Sequence, residues 1–105
     1  MADAYKTLIQ AAVPTSVAMV GSTPGVGKTW IMMHFFIVNT SGGMTTVQLF
    51  RNGTTDAYKW GGVVAIDAGG HLEWDGTEAF GSSDYLAAVA SASGLYIHAS
   101  GDEVT

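Results

Sequence analysis

The chain contains no cysteine, which excludes disulfide bonds and thiolate metal sites. Charge is scarce as well, because 12% of the residues are Asp, Glu, Lys or Arg, against roughly 25% in an ordinary soluble domain. Only four residues are basic, none of them lies beyond Lys59, and the net charge is −5. Four cations cannot neutralise many phosphates, so the composition argues against a nucleic-acid partner.

Long apolar runs and targeting segments are also missing. The longest apolar run, Trp30 to Val38, has nine residues and is interrupted by His34. A membrane span needs roughly 20 consecutive apolar residues. The N-terminus "MADAYKTLIQ" lacks the basic start and the apolar region of a signal peptide. We therefore expect no membrane partner and synthesis in the cytoplasm.

Glycine, by contrast, is abundant and places turns at short intervals. The 105 residues include fourteen glycines, and turns separate short segments rich in Val, Ile, Thr and aromatic residues. Strands joined by turns every ~8–12 residues are typical of a sandwich or barrel. The sequence predicts one all-β domain over residues 1–105. Its strands are expected at 4–10, 17–21, 29–39, 45–51, 57–60, 63–67, 71–75, 84–92 and 95–100.

Two turns predict β-hairpins. Asn52-Gly53 follows the alternating segment "TTVQLFR", and both residues tolerate the positive φ of a type I′ turn. Gly94 separates "DYLAAVASAS" from "LYIHAS". The alanines of the first segment also suit a helix, but a strand with a hairpin partner is favoured.

The segment "TWIMMHFFIVN" is apolar on both of its alternating faces, and its β-branched and aromatic residues favour a central strand. Only one face can enter the core of a two-sheet sandwich. The other face is expected to meet a loop or a neighbouring subunit. The candidate interface residues on that face are Trp30, Met32, His34 and Phe36.

The stretch "GSTPGVGKTW" has the ending of a nucleotide-binding loop of the form G-x-x-x-x-G-K-[ST]. Gly27-Lys28-Thr29 fits that ending, but Ser22 occupies the first position, where the loop needs glycine. The motif also needs a helix after it, and the segment that follows is a poor helix. We interpret the stretch as a connection between two strands, with Lys28 in solvent.

Other sequence patterns give no catalytic site. His71, Glu73 and Asp75 alternate along one predicted strand, which would suit a divalent ion. A solvent-exposed strand face is the favoured interpretation, so neither a metal nor a cofactor is expected. No pair of carboxylates is singled out by its spacing, and no serine has an elbow-like context. The sequence therefore predicts a protein that is not an enzyme.

Four stretches of the chain carry a resemblance to a known group of proteins. They are "YKTLIQAA", "VAMVGSTPGVGKTWIMMHFFIVNTSGG", "TTVQLFRNGT" and "DYLAAVASASGLYIHASGDEV". This layout resembles small β-sandwich structural proteins of tailed bacteriophages, found as capsid decoration proteins or as tail and fibre components. The stretch from Gly61 to Ser83 departs from the pattern and leaves the strand register there open.

The resemblance implies an antiparallel β-sandwich, jelly-roll-like, with a structural role in the virion. The expected function is that of a capsid decoration (cement) protein, which binds the major capsid protein of the same virus and strengthens the outer lattice. A homotrimer is the favoured oligomer. Residues 1–12 are expected to form an arm that reaches a neighbour, or an edge strand.

A tail or tail-fibre module that contacts host-surface glycans is the alternative function. Aromatic rings stack on sugar rings when they share an exposed face. The residues expected to do so here are Tyr58, Trp60 and Trp74.

Overall fold

The computed structural model describes residues 3–105. They contain eight β-strands and one short 3-10 helix, joined by turns and loops. In chain order the strands are β1 Asp3–Ala12, β2 Ala18–Met19, β3 Thr29–Asn39, β4 Thr45–Arg51, β5 Val64–Ile66, β6 His71–Phe80, β7 Leu86–Ala90 and β8 Leu95–Val104. The 3-10 helix, Asp56–Tyr58, lies between β4 and β5. Across residues 3–105, no helix is long and apolar enough to cross a membrane.

The strands form two four-stranded antiparallel sheets that pack face to face. The first sheet has the order β1-β8-β3-β6, and the second has the order β2-β7-β4-β5. Successive strands lie in opposite sheets, except for β4 and β5, which are neighbours in the second sheet. This is the strand order of a jelly roll, which is built from two Greek keys. The prediction of an antiparallel, jelly-roll-like β-sandwich is confirmed. Of the predicted N-terminal arm, residues 3–12 form β1 at the edge of the first sheet, and residues 1 and 2 lie outside the described residues.

The core lies between the two sheets and follows from the period of two in their strands. In β8, Leu95 and Ile97 are fully buried, whereas the intervening Tyr96 is 43% exposed. Leu86 of β7 enters the same core from the second sheet. Each fully buried Leu or Ile side chain contributes about 1.5–3 kcal/mol relative to an exposed one. The outward residues of β8 are thereby presented on the opposite side of the first sheet.

A bulge in β3 reverses which side of the strand faces the core. The pairing of β3 with both of its neighbours shifts register between Met32 and His34. On the N-terminal side of this shift, Trp30 and Met32 are buried, at 6% and 0% exposure. On the other side, His34 and Phe36 are partly exposed. One extra residue moves every later side chain to the opposite face. The prediction that Trp30 and Met32 share an outer face with His34 and Phe36 is therefore wrong.

Neither predicted tight hairpin forms, although β4 and β5 pair antiparallel across a long connection. Strands β7 and β8 lie in different sheets, so Gly94 belongs to a connection that crosses between them. Asn52 has a positive φ of 61°, but residues 52–63 form a long connection before β5 pairs with β4. The strand predicted at 57–60 is wrong as well. That segment holds the 3-10 helix and a single bridge between Lys59 and Phe50.

Candidate interaction surface

The outer side of the first sheet, which faces away from the core, carries apolar and aromatic side chains at its centre. Phe36 and Val38 of β3 lie opposite His98 and Tyr96 of β8. Phe36 stacks on His98, with ring centroids 4.8 Å apart and an angle of 15° between the rings. All four side chains are at least partly exposed. We call Phe36, Val38, Tyr96 and His98 the central patch.

Polar and acidic residues border the central patch on both sides. Thr7 and Gln10 of β1 are exposed on one side, and Glu73 and Asp75 of β6 are exposed on the other. An apolar centre with a polar rim is the arrangement typical of protein–protein interfaces. The first sheet therefore presents a surface suited to contact with another protein.

Two of the four predicted interface residues lie on this surface. Phe36 belongs to the central patch, and His34 lies beside it, with its ring centroid 6.0 Å from that of Phe36. Met32 is fully buried. Trp30 belongs to the core, but its indole Nε1 donates a hydrogen bond of 2.9 Å to Oε1 of Glu103.

Glu103 joins the three strands at this end of the first sheet. Its carboxylate accepts the hydrogen bond from Trp30 of β3 and another, of 3.1 Å, from Nζ of Lys6 in β1. The indole, and after it the ammonium group, hold the pKa of Glu103 below its usual range. This interaction contributes stability above the ordinary pKa of a glutamate and loses it as the pH falls through the lowered pKa. It also fixes the ring of Trp30 in the core, away from the outer surface.

Of the central patch, only Phe36 was among the predicted interface residues. Tyr96 and His98 alternate with buried residues along β8, which identifies them as outward-facing. Their position next to Phe36 and Val38 depends on the pairing of β3 with β8. These strands are far apart in the sequence, so no local pattern reports their register.

An imidazole and two carboxylates cluster at the β6 border of the surface. Nε2 of His34 lies 2.8 Å from Oε2 of Glu73 and 3.9 Å from Oδ1 of Asp75. The sequence predicted that His71 would accompany Glu73 and Asp75, and the alternation along β6 does place the three on one side of the sheet. The imidazole that lies within the cluster, however, is that of His34 in β3. The reason is the register, in which His34 lies directly opposite Asp75.

A separate pocket brings together two of the three predicted stacking residues. Trp60 and Trp74 meet edge to face with ring centroids 5.5 Å apart, and Trp74 also stacks on Phe35 at 5.2 Å. The pocket has a volume of about 220 Å³ and a mostly apolar lining, to which Glu73 also contributes. Tyr58 lies apart from it, 47% exposed, with its ring against Gly53.

The stretch "GSTPGVGKTW" connects β2 to β3, as predicted. Gly25 and Gly27 have positive φ angles of 98° and 76°, and the backbone N–H of Lys28 donates to the carbonyl of Gly25 at 3.1 Å. The Lys28 side chain is exposed. Strand β3 begins at the next residue, Thr29. The element after the loop is thus a strand, where a phosphate-binding loop would require a helix.

Comparison with known proteins shows that the fold of this chain resembles that of a solved structure. No protein-family model and no curated protein sequence matches the chain. Among solved structures, the chain is similar to a protein of Bacillus endospore appendages, which form a novel family of disulfide-linked pili. The superposition has a TM-score of 0.57 with 11% sequence identity, and it covers 98% of this chain and 88% of that chain. At this identity the likeness shows a shared fold alone.

Proposed function

We propose that the protein is a non-enzymatic structural protein of a bacteriophage virion, and specifically a capsid decoration protein that binds the outer lattice. The central patch carries this proposal. It is a largely apolar and aromatic surface with a polar rim, on the side of the first sheet that faces away from the core. The jelly roll, an architecture found in viral capsid proteins, supports the same role. So does the fold shared with a subunit of another protein assembly.

The mechanism is association through desolvation of the central patch. Apolar surface removed from water contributes about 25 cal/mol per Å², and tyrosine, here Tyr96, is among the residue types that most often carry binding energy. The partners are the major capsid protein and further copies of this chain, arranged as a homotrimer. Because a trimer presents several copies of each contact to the lattice, a modest affinity per contact gives firm attachment.

The proposed assembly is non-covalent. The chain has no cysteine, so the disulfide linkage of the Bacillus appendages is not available to it. Packing and polar rim contacts must then supply all of the binding free energy. This makes assembly directly sensitive to single substitutions in the central patch.

Phe36→Asp is expected to weaken self-association and capsid binding by roughly thirtyfold or more, since the loss of a central interface residue costs about 2 kcal/mol or more. The folded domain should persist, because Phe36 lies on the outer side of the sheet. Size-exclusion chromatography with light scattering measures the oligomer, and co-sedimentation with capsids that lack the protein measures lattice binding. Val26→Asp is the matched control, since Val26 is an apolar loop residue that is 98% exposed. Equal assembly and equal capsid binding by both variants would contradict the proposal.

A tail or tail-fibre module that binds host glycans is the second candidate, favoured by one observation. Trp60 and Trp74 line the same pocket, as stacking platforms for a sugar ring must. Under this alternative, a glycan array would show selective binding that Trp60→Ala removes and Tyr58→Ala retains, with thermal melts confirming that both variants fold. A decoration protein is expected to show no sugar preference on the same array.

A further inference from the structure

Three side chains at the β6 border of the outer surface are arranged as metal ligands. Nε2 of His34 and a carboxylate oxygen from each of Glu73 and Asp75 all lie within 4.8 Å of one another. Ligands about 2.0–2.2 Å from a tetrahedral ion lie roughly 3.4 Å from each other. The distances from the imidazole, 2.8 Å to Glu73 and 3.9 Å to Asp75, bracket that value. Small side-chain rotations would therefore complete the geometry.

The scaffold of this cluster is rigid, whereas its carboxylates are adjustable. His34 and Asp75 face each other across the β3–β6 ladder, and the imidazole is held beside the ring of Phe36. The side chains of Glu73 and Asp75 are 55% and 79% exposed. An ion approaching from solvent would replace the hydrogen bond between Nε2 of His34 and Oε2 of Glu73, and the exposed carboxylate of Asp75 could close around it.

The charge around the cluster favours a cation. No Lys or Arg compensates Glu73 and Asp75, because the four basic side chains act elsewhere. Lys6 pairs with Glu103, Arg51 with Glu78 and Asp84, and Lys59 with Asp56, while Lys28 is exposed in the connection between β2 and β3. Within residues 3–105, the basic side chain in contact with these two carboxylates is therefore the imidazole of His34. A divalent ion would neutralise both of them.

From this geometry and charge we infer that His34, Glu73 and Asp75 form a binding site for a divalent transition-metal ion. The imidazole selects borderline ions such as Zn²⁺, Co²⁺ or Ni²⁺ over Mg²⁺ and Ca²⁺, which prefer oxygen ligands alone. Three protein ligands leave a coordination position for water or for a group from another molecule. The inference concerns the isolated chain and does not depend on the proposed virion role.

Titration of the untagged, metal-free protein with Co²⁺ tests the site. We expect a visible absorption band that saturates at one ion per chain and that Zn²⁺ abolishes by competition, whereas excess Mg²⁺ does not. Glu73→Gln and Asp75→Asn should each weaken Co²⁺ binding at least about tenfold. Even the loss of a hydrogen-bond partner of a ligand typically costs about 10–100-fold in metal affinity. His34→Gln should abolish the band, with a thermal melt confirming that the variant folds.

Two variants control for histidine and for charge. His71→Ala removes an exposed imidazole of β6, the strand that carries Glu73 and Asp75, but one that lies outside the cluster. Asp56→Asn removes a carboxylate of the 3-10 helix that is 95% exposed. Both should bind Co²⁺ as the unsubstituted protein does. The inference is overturned if no saturable band appears. It is also overturned if the variants of the three ligands bind as tightly as the two controls.

Discussion

Gly101→Ala is expected to destabilise the domain by about 3 kcal/mol or more. A Cβ atom at this position would overlap the carbonyl oxygen of Ile31 and lie 3.0 Å from Cα of Met32. Both are backbone atoms of the neighbouring strand, next to the bulge. They cannot move aside as a side chain would, because β8 is hydrogen-bonded between β1 and β3.

Urea unfolding followed by tryptophan fluorescence measures this effect. Gly42→Ala is the control, since a Cβ atom there meets nothing within 4 Å, and it should leave stability within about 0.5 kcal/mol of the parent. If Gly101→Ala unfolded at the same urea concentration as Gly42→Ala, the close approach of β8 to the bulge would be wrong. The outward position of His34 and Phe36 would then be in question too.

Asn39→Asp is expected to cost about 3 kcal/mol or more at neutral pH, because it places a carboxylate against buried carbonyl groups. Asn39 is fully buried at the end of β3. Its Nδ2 donates to the carbonyls of Gly43 and Ile66 at 2.9 and 2.8 Å, and its Oδ1 accepts from N and Oγ of Ser41 at 2.9 and 2.7 Å. Aspartate retains the acceptor and replaces the donor with a second acceptor.

The pH dependence of this variant distinguishes electrostatics from packing. Burial beside carbonyls raises the pKa of the new carboxyl, so the stability of Asn39→Asp relative to the parent should recover as the pH falls and the group becomes a donor. Gln10→Glu makes the same chemical change on the exposed part of β1, and its effect should be within about 0.5 kcal/mol. An Asn39→Asp variant as stable as Gln10→Glu at neutral pH would contradict the hydrogen-bond network.

The fold class was predictable because its determinants are local. Alternation in β8 separates buried Leu95 and Ile97 from outward Tyr96, and frequent glycines mark the ends of short strands. The partner of each strand was not predictable in the same way. Gly94 and Asn52 mark real turns, but whether a turn closes a hairpin or leads to the other sheet depends on packing distant in sequence.

The surface residues were harder to predict, because they depend on register between strands that are not consecutive. The bulge near Met33 has no local cause in "TWIMMHFFIVN". It accompanies the close approach of Gly101, a residue of β8. The same register brings His34 to Asp75 of β6. Sequence patterns placed the candidates His34 and Phe36 on the outer side of β3, where the structure has them. They could not show that β3 changes face halfway along its length.

Quantitative peptide mass spectrometry of purified virus particles tests the central claim most directly, since it counts copies of this chain against the major capsid protein. A decoration protein repeats with the lattice, so the account predicts copy numbers of the same order for the two proteins. A few copies per particle would contradict the capsid role and favour the tail module. Absence from particles would contradict a virion function altogether.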